Sequence, residues 1–259
     1  MSNKSCDLTI FKACSIQKGG EALTTKEAES AFGGIYIAPE VSLYLTATIK
    51  RDVPSAVQSY PVNSRNLIRW IRVGLSSPTL VSVPGRELLI TFEDMVSMRV
   101  IALLRTLGVS WPKIHRAEQW LRQETGYHRP FAIKRVWTET VDVFAEFPPG
   151  FIAASRQGQL AFVELIDQYL QPVEDLTFIR HNGVYVAETW TPHPDVLMHP
   201  RVQFGEPCVK GTRTPTRMLW RMFNGGDSIS YLVRAFEVSE QQVENALEWE
   251  NRLKVAQRS

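Results

Sequence analysis

Between Thr79 and Leu107 the apolar pattern changes period, and no other stretch restricts the fold as much. "TLVSVPGRELLIT" is two short apolar runs around Pro84-Gly85, the signature of a β-hairpin. Directly after it, Phe92, Met95, Val96, Val100, Leu103, Leu104 and Leu107 form one stripe at helical spacing. Thr91 with Asp94 makes a capping-box-like start, and Gly108 makes a C-terminal stop. Ser110 caps a second helix that turns Trp111, Ile114, Ala117 and Leu121 inward and ends near Gly126. Hairpins and amphipathic helices together predict an α+β protein.

The flanking segments divide into units. Residues 1–33 are polar and weakly periodic, a flexible arm with one short helix near Lys26–Phe32. Residues 34–130 form an N-terminal unit: a short extended piece, a helix from about Pro39, a proline-containing loop, and a helix "SRNLIRWIRVGL" capped by Asn63 or Ser64. Residues 131–194 are a small α+β unit, with "VDVFAEF", "FIAAS" and "TFIRHNGVYVAE" as strands and "QLAFVELIDQYLQ" as a helix. Asn182-Gly183 is its hairpin turn. Residues 195–259 are a three-helix module: "TRMLWRMFN", "ISYLVRAF" capped by Asp227 or Ser228, and "EQQVENALEWENRL" with a Ser239–Gln242 capping box. The last two have the rhythm of a helix-turn-helix with Val238 in the turn.

The formal net charge of +2 conceals segregation. Residues 50–135 carry 14 Lys/Arg against 6 Asp/Glu, whereas residues 136–194 carry 2 against 8. A polyanion is therefore expected on the basic block. Cys6, Cys14 and Cys208 are unpatterned, the N-terminus has no signal-peptide run, and no apolar stretch spans a bilayer, so the expectation is a cytoplasmic protein with no membrane partner.

Within the basic block, Arg65, Arg69 and Arg72 share one helix face at i, i+4 and i+7, opposite Leu67, Trp70 and Ile71. No acidic residue interrupts that helix. A cationic face of this kind suits the major groove, where Arg makes forked bonds to guanine or phosphate. Helix, turn, helix and hairpin give a winged helix-turn-helix outline. The expected DNA contacts are Arg65, Asn66, Arg69, Arg72 and Arg86, the last at the wing tip. "ITFEDMVSMRVIALLRTLGVSWPKIHRAEQWL" resembles the long-helix section of MerR-type regulators, over roughly residues 34–125, and departs from them in the long loop between Ile49 and Ser64.

The turn-rich "FGEPCVKGTRTP" lacks the lysine of a phosphate-binding loop, since Thr212 follows Gly211. Gly205 and Gly211 permit positive φ, and Pro207 and Pro215 fix turns, so the stretch is read as the structural start of a module. No catalytic residue, cofactor or metal is expected. His193, Asp195, His199 and Cys208 have no tight ligand spacing. The stretch from Asp195 to Leu247 resembles a prokaryotic family catalogued as a domain of unknown function, whose members share a G-x-P-x-x-x-G-T-R-x-P signature and occur as antitoxins. Gly205, Pro207, Gly211, Thr212, Arg213 and Pro215 match it, and His199 stands where an Asp is usual.

Taken whole, the chain resembles VapB-type antitoxins of the larger class. That resemblance implies a PIN-like ribonuclease toxin as partner, operator DNA as a second partner, and repression of its own operon. A homodimer is expected, with the helix Thr91–Leu107 and the C-terminal module as candidate interfaces. The expected toxin contacts are Arg213, Arg217, Arg221, Arg252, Lys254 and Arg258, cations able to pair with the carboxylates of a nuclease site. Binding is expected to survive removal of residues 1–130. The C-terminal helix carries Glu240, Glu244, Glu248 and Glu250 and is assigned away from DNA. Two other readings stay open. One is a stand-alone regulator sensing a small ligand between Trp137, Phe144 and Trp190; the other is an enzyme built on His193, His199 and Cys208.

Overall fold

The computed structural model describes residues 17–18, 21–22, 34–52, 62–73, 80–81, 88–106, 108–138 and 175–258. The short helix expected near Lys26–Phe32, the Pro84-Gly85-Arg86 turn, Leu107, Phe144 and the "QLAFVELIDQYLQ" segment lie outside them. What is described is a mixed α+β protein, as the two apolar periods require.

The N-terminal part begins with β1 (Ile35–Ile37) and α1 (Ala38–Asp52). Glu40 caps α1 by accepting a hydrogen bond from the Ile37 amide at 3.0 Å. Next come α2 (Ser64–Arg72), β2 (Leu80–Val81) and β3 (Leu88–Thr91). The three strands form an antiparallel sheet in the order β1-β3-β2. Ser42 and Thr46 on α1 both donate to the Val62 carbonyl, at 2.7 and 3.2 Å, which ties the approach to α2 onto α1.

Then follow α3 (Phe92–Thr106), α4 (Trp111–Thr125) and the short α5 (Lys134–Thr138). At the head of α3 the Thr91 hydroxyl donates to Asp94 at 2.7 Å, and the Asp94 amide donates back to Thr91 Oγ1 at 3.2 Å. Gly126, at φ +64, ends α4 in the left-handed conformation that a C-terminal glycine permits.

A second antiparallel sheet runs β4 (Leu176–His181), β5 (Val184–His193), β6 (Val196–Met198) and β7 (Cys208–Val209), paired in that order. Asn182 and Gly183 both take positive φ in the β4–β5 turn, as a two-residue hairpin demands. The module closes with α6 (Thr216–Asn224), α7 (Ile229–Phe236) and α8 (Glu240–Gln257). Ser228 caps α7, and Ser239 with Gln242 forms the capping box of α8. No helix among the described residues is long and apolar enough to cross a membrane.

The core is continuous where the sequence divides into units. One buried cluster extends from Tyr36 through Trp137 and Trp190 to Trp249. A smaller one, including Val209, Leu219, Leu232 and Val243, lies under the last three helices. Because β6 and β7 join the sheet begun by β4, the strand pairing crosses the expected division at 194/195. The larger buried cluster also joins residues 36–127 to Trp190 and Trp249, so the expected removal of residues 1–130 would cut through the core. A fragment lacking them would lose α3 and uncover Trp190 and Trp249.

Helix α3 is also corrected as a dimer interface. Its residues from Phe92 to Leu104, Glu93 excepted, are all buried, including Ser97 and Arg99, so this chain already covers every side of it. Arg99 is held at 2.7 Å by Asp175 and lies 5.1 Å from the Trp137 ring and 5.3 Å from the Trp190 ring. The Trp190 indole donates to the same carboxylate at 3.1 Å. A buried charge is tolerated only when paired, and Arg99 is paired with a carboxylate that Trp190 also holds. Of the three rings expected to line a ligand pocket, Trp137 and Trp190 thus lie against an arginine of the chain itself, and Phe144 is outside the described residues.

Candidate nucleic-acid interface and partner-binding module

Helix α2 is split as its spacing predicts. Leu67, Trp70 and Ile71 are buried, and Arg65, Arg69 and Arg72 are exposed. Asn63 accepts from the Asn66 amide at 2.9 Å and starts the helix. Asn66 itself is half-buried, which places it at the margin of the cationic face. Trp70 anchors the helix from behind by packing against Trp111 of α4, ring centroids 5.5 Å apart. Arg105 lies over the other side of that contact, 4.6 Å from the Trp111 ring, and donates to the Val109 carbonyl at 2.5 Å. The arginine face thus rests on a fixed aromatic support, so its geometry is set before any ligand arrives. The expected contact Arg86 lies outside the described residues.

The G-x-P-x-x-x-G-T-R-x-P stretch winds from β6 to α6 and holds the two residues of β7 between its glycines. Gly205 has φ +90 and Gly211 φ +83, values that a side chain would strain. Gly205 has a second reason to be glycine: the Tyr36 hydroxyl donates to its carbonyl at 2.9 Å, so β1 lies directly against the loop. Thr212 donates to the Val209 carbonyl at 2.9 Å and accepts from the Thr214 amide at 3.0 Å. Thr216, after Pro215, donates its amide hydrogen to the Pro207 carbonyl at 2.9 Å. The Arg213 carbonyl accepts from Gln203 while its side chain remains exposed.

The six cations expected to meet a toxin do not form one free cluster. Arg213, Arg221 and Arg258 are exposed. Arg217 is paired with Glu206, and Arg252 donates to Glu248 at 2.6 Å. Lys254 lies 3.5 Å from the centroid of the Trp220 ring. Each of these three already has a partner within the chain. The acidic face of α8 is corrected too, because Glu250 turns inward and accepts from the Thr216 hydroxyl at 2.5 Å. Residues considered for metal chemistry are engaged separately. His193 stacks on Trp249, Asp195 accepts from Asn245 at 2.8 Å, His199 accepts from the Arg201 amide, and Cys208 sits in β7. Among the described residues no group of three His, Cys, Asp or Glu could hold a metal ion.

Sequence reasoning missed one feature. Glu40, Glu206 and Glu250 come from three distant segments and line one cavity of about 290 Å³ beside Tyr36, Tyr44 and Arg217. Burial pushes the Glu250 carboxyl up, the Thr216 bond pulls it back, and the Glu206 charge pushes it up again. Burial likewise raises Glu206 against the opposing pull of Arg217.

A carboxyl whose folded pKa is raised binds its proton more readily in the folded state. Stability is therefore lost as pH rises from the ordinary carboxyl value of 4.5 through the raised one. We expect Glu250→Gln to raise the Tm at neutral pH and to flatten the decline in Tm between mildly acidic and neutral pH. An unchanged pH slope in thermal melts would contradict this account of Glu250.

A family model described as "Protein of unknown function (DUF433)" matches residues 196–249, from the first residue of β6 to Trp249. Among solved structures the chain is similar to Rv2018 from Mycobacterium tuberculosis, with a TM-score of 0.60 and 20% sequence identity. The likeness covers 82% of this chain and 96% of that one, and at this identity it speaks for the fold alone. No curated protein matches.

Proposed function

We propose that the chain is a DNA-binding autorepressor and antitoxin, which holds its operator through α2 and a PIN-like ribonuclease toxin through its C-terminal module. The observation that carries the reading is the exposed face of Arg65, Arg69 and Arg72 on a helix fixed from behind by Trp70 and Trp111. In this reading β1, α1, α2 and the β2–β3 pair act as a winged helix-turn-helix with α2 as the recognition helix. A homodimer lets two such helices read two half-sites.

The antitoxin half rests on the resemblance of the G-x-P-x-x-x-G-T-R-x-P module to domains that occur in antitoxins. It is supported by the free cations Arg213, Arg221 and Arg258 and by apolar side chains exposed on the same module. Met218, Phe223 and Tyr231 are 44%, 41% and 45% exposed, a composition suited to a protein partner. With α3 buried, these helices are also where dimer contacts belong. Co-expression of the full chain with the nuclease encoded beside it tests the reading. The expected result is one complex of fixed ratio in which ribonuclease activity is lost; an active nuclease in the presence of excess folded chain would refute the antitoxin assignment.

A further inference from the structure

Phe204, just before the first glycine of the signature loop, is 74% exposed, the most exposed large apolar side chain among the described residues. It sits at φ +55 and ψ +25, directly after Gln203 at φ +48. Residues with a side chain rarely enter that left-handed region, whereas glycine enters it without strain. Such strain persists only where the surroundings over-determine it, and here they do. The Gln203 side-chain amide donates to the Arg213 carbonyl at 3.1 Å, and the Gly205 amide donates to the Val202 carbonyl at 2.9 Å. The Tyr36 hydroxyl donates to the Gly205 carbonyl at 2.9 Å. The loop is thus clamped on both sides of a ring that itself stays in solvent.

Cations flank the ring. Arg201 lies three residues earlier, and the Arg213 backbone is joined to Gln203; both arginine side chains are exposed. The carboxylate nearest in sequence, that of Glu206, is 20% exposed and already paired with Arg217. A fixed aromatic ring beside arginines has the composition of an interface anchor. The ring fills a pocket on the partner, and the guanidinium meets acceptors at its edge. Holding the ring in place before contact removes the ordering cost that a mobile side chain carries. A second copy does not fit this face, because a two-fold contact centred on it would set the arginines of both copies against each other. The complement is a different protein, with an apolar pocket edged by carboxylates.

We propose that Phe204 and Arg213 form the anchor by which the C-terminal module holds its protein partner. Phe204 fills an apolar pocket of that partner, and Arg213 pairs with carboxylates at the pocket's rim. The inference rests on the antitoxin reading, in which the partner is a nuclease with an acidic site. It moves the centre of the contact from the outer faces of α6 and α7 to the loop before α6.

The test is calorimetric titration of the full chain, and of its variants, with the nuclease encoded beside it. Phe204→Asn removes the ring and relieves the backbone, since asparagine tolerates the left-handed region. Its Tm should be no lower than the parent's, while its affinity for the nuclease falls at least about thirtyfold, the loss that marks an interface anchor. Arg213→Gln keeps the backbone carbonyl that Gln203 holds and should weaken binding at least about tenfold, the loss of a hydrogen bond to a charged group. Arg234→Gln, which removes an exposed cation of α7, should bind as the parent does. Sedimentation of the Phe204→Asn chain should find the parent's oligomeric state. Undiminished binding by Phe204→Asn would overturn the anchor and leave the antitoxin reading standing, whereas no binding by the parent would overturn both. A Phe204→Asn chain that falls from dimer to monomer would assign the face to a second copy and overturn the proposal as well.

Discussion

Replacing Gly205 by valine lowers the Tm by roughly 10 °C or more, at about 2–4 °C per kcal/mol for a chain of this length. Three costs combine. A β-branched residue at φ +90 is strained by about 1–3 kcal/mol. A Cβ at this position lies 2.0 Å from the Tyr36 hydroxyl oxygen and 2.6 Å from the ring carbon that bears it, so something must shift. Tyr36 is 2% exposed and packed in the main core, so it cannot swing clear, and overpacking of this kind costs about 1–3 kcal/mol. The Tyr36–Gly205 hydrogen bond is lost as well, about 1 kcal/mol. Gly211→Ala is the control: φ is +83 there, but nothing lies within 4 Å of the added Cβ. Only backbone strain of about 1–2 kcal/mol remains there. Thermal melts of the two variants check this. A Gly205→Val protein that melts with the parent would show that the loop does not need this contact.

The second large effect falls on DNA. With α2 in the major groove, Arg65→Ala and Arg69→Ala each cost about 1–3 kcal/mol of operator binding and relax one position of the site. Arg65 sits in the first turn of the helix, the end that points deepest into the groove, and Arg69 follows it one turn later on the same face. Arg72→Ala, one turn later, weakens every sequence alike, as loss of a phosphate contact does. None of the three side chains is part of the core beneath them, so melting temperatures should stay close to the parent's. Competition titrations against single-base variants of the operator separate the two kinds of loss. If all three variants lost affinity without any change in base preference, α2 would contact backbone only.

The elements that local pattern governs were legible. The α2 face, the Thr91–Asp94 and Ser239–Gln242 caps and the Asn182-Gly183 turn each depend on residues within a few positions of one another. What was not legible depends on partners far along the chain. Periodicity marks one stripe of α3, yet Arg99 is buried because Asp175, Trp137 and Trp190 close around it. The Gly205 turn is readable from its glycine, but the tyrosine against it is 169 residues away. Some signals were present and could have been used. Glu248 and Arg252 are an i, i+4 pair, which already takes Arg252 out of a free cationic patch. Glu250 continues the stripe Val243, Ala246, Leu247 at i+7, the position of an inward residue, so its turn toward Thr216 follows from spacing alone.

The central claim is that the arginine face of α2 holds DNA, and the salt dependence of binding tests it most directly. The parent and a folded Arg65→Ala/Arg69→Ala/Arg72→Ala variant are titrated at several salt concentrations with the DNA upstream of the chain's own reading frame. The account predicts an affinity for that DNA about a thousandfold lower in the variant. It also predicts a plot of log K against log salt shallower by about one, the unit that belongs to Arg72 on phosphate. Equal affinity and equal slope in the two proteins would contradict it.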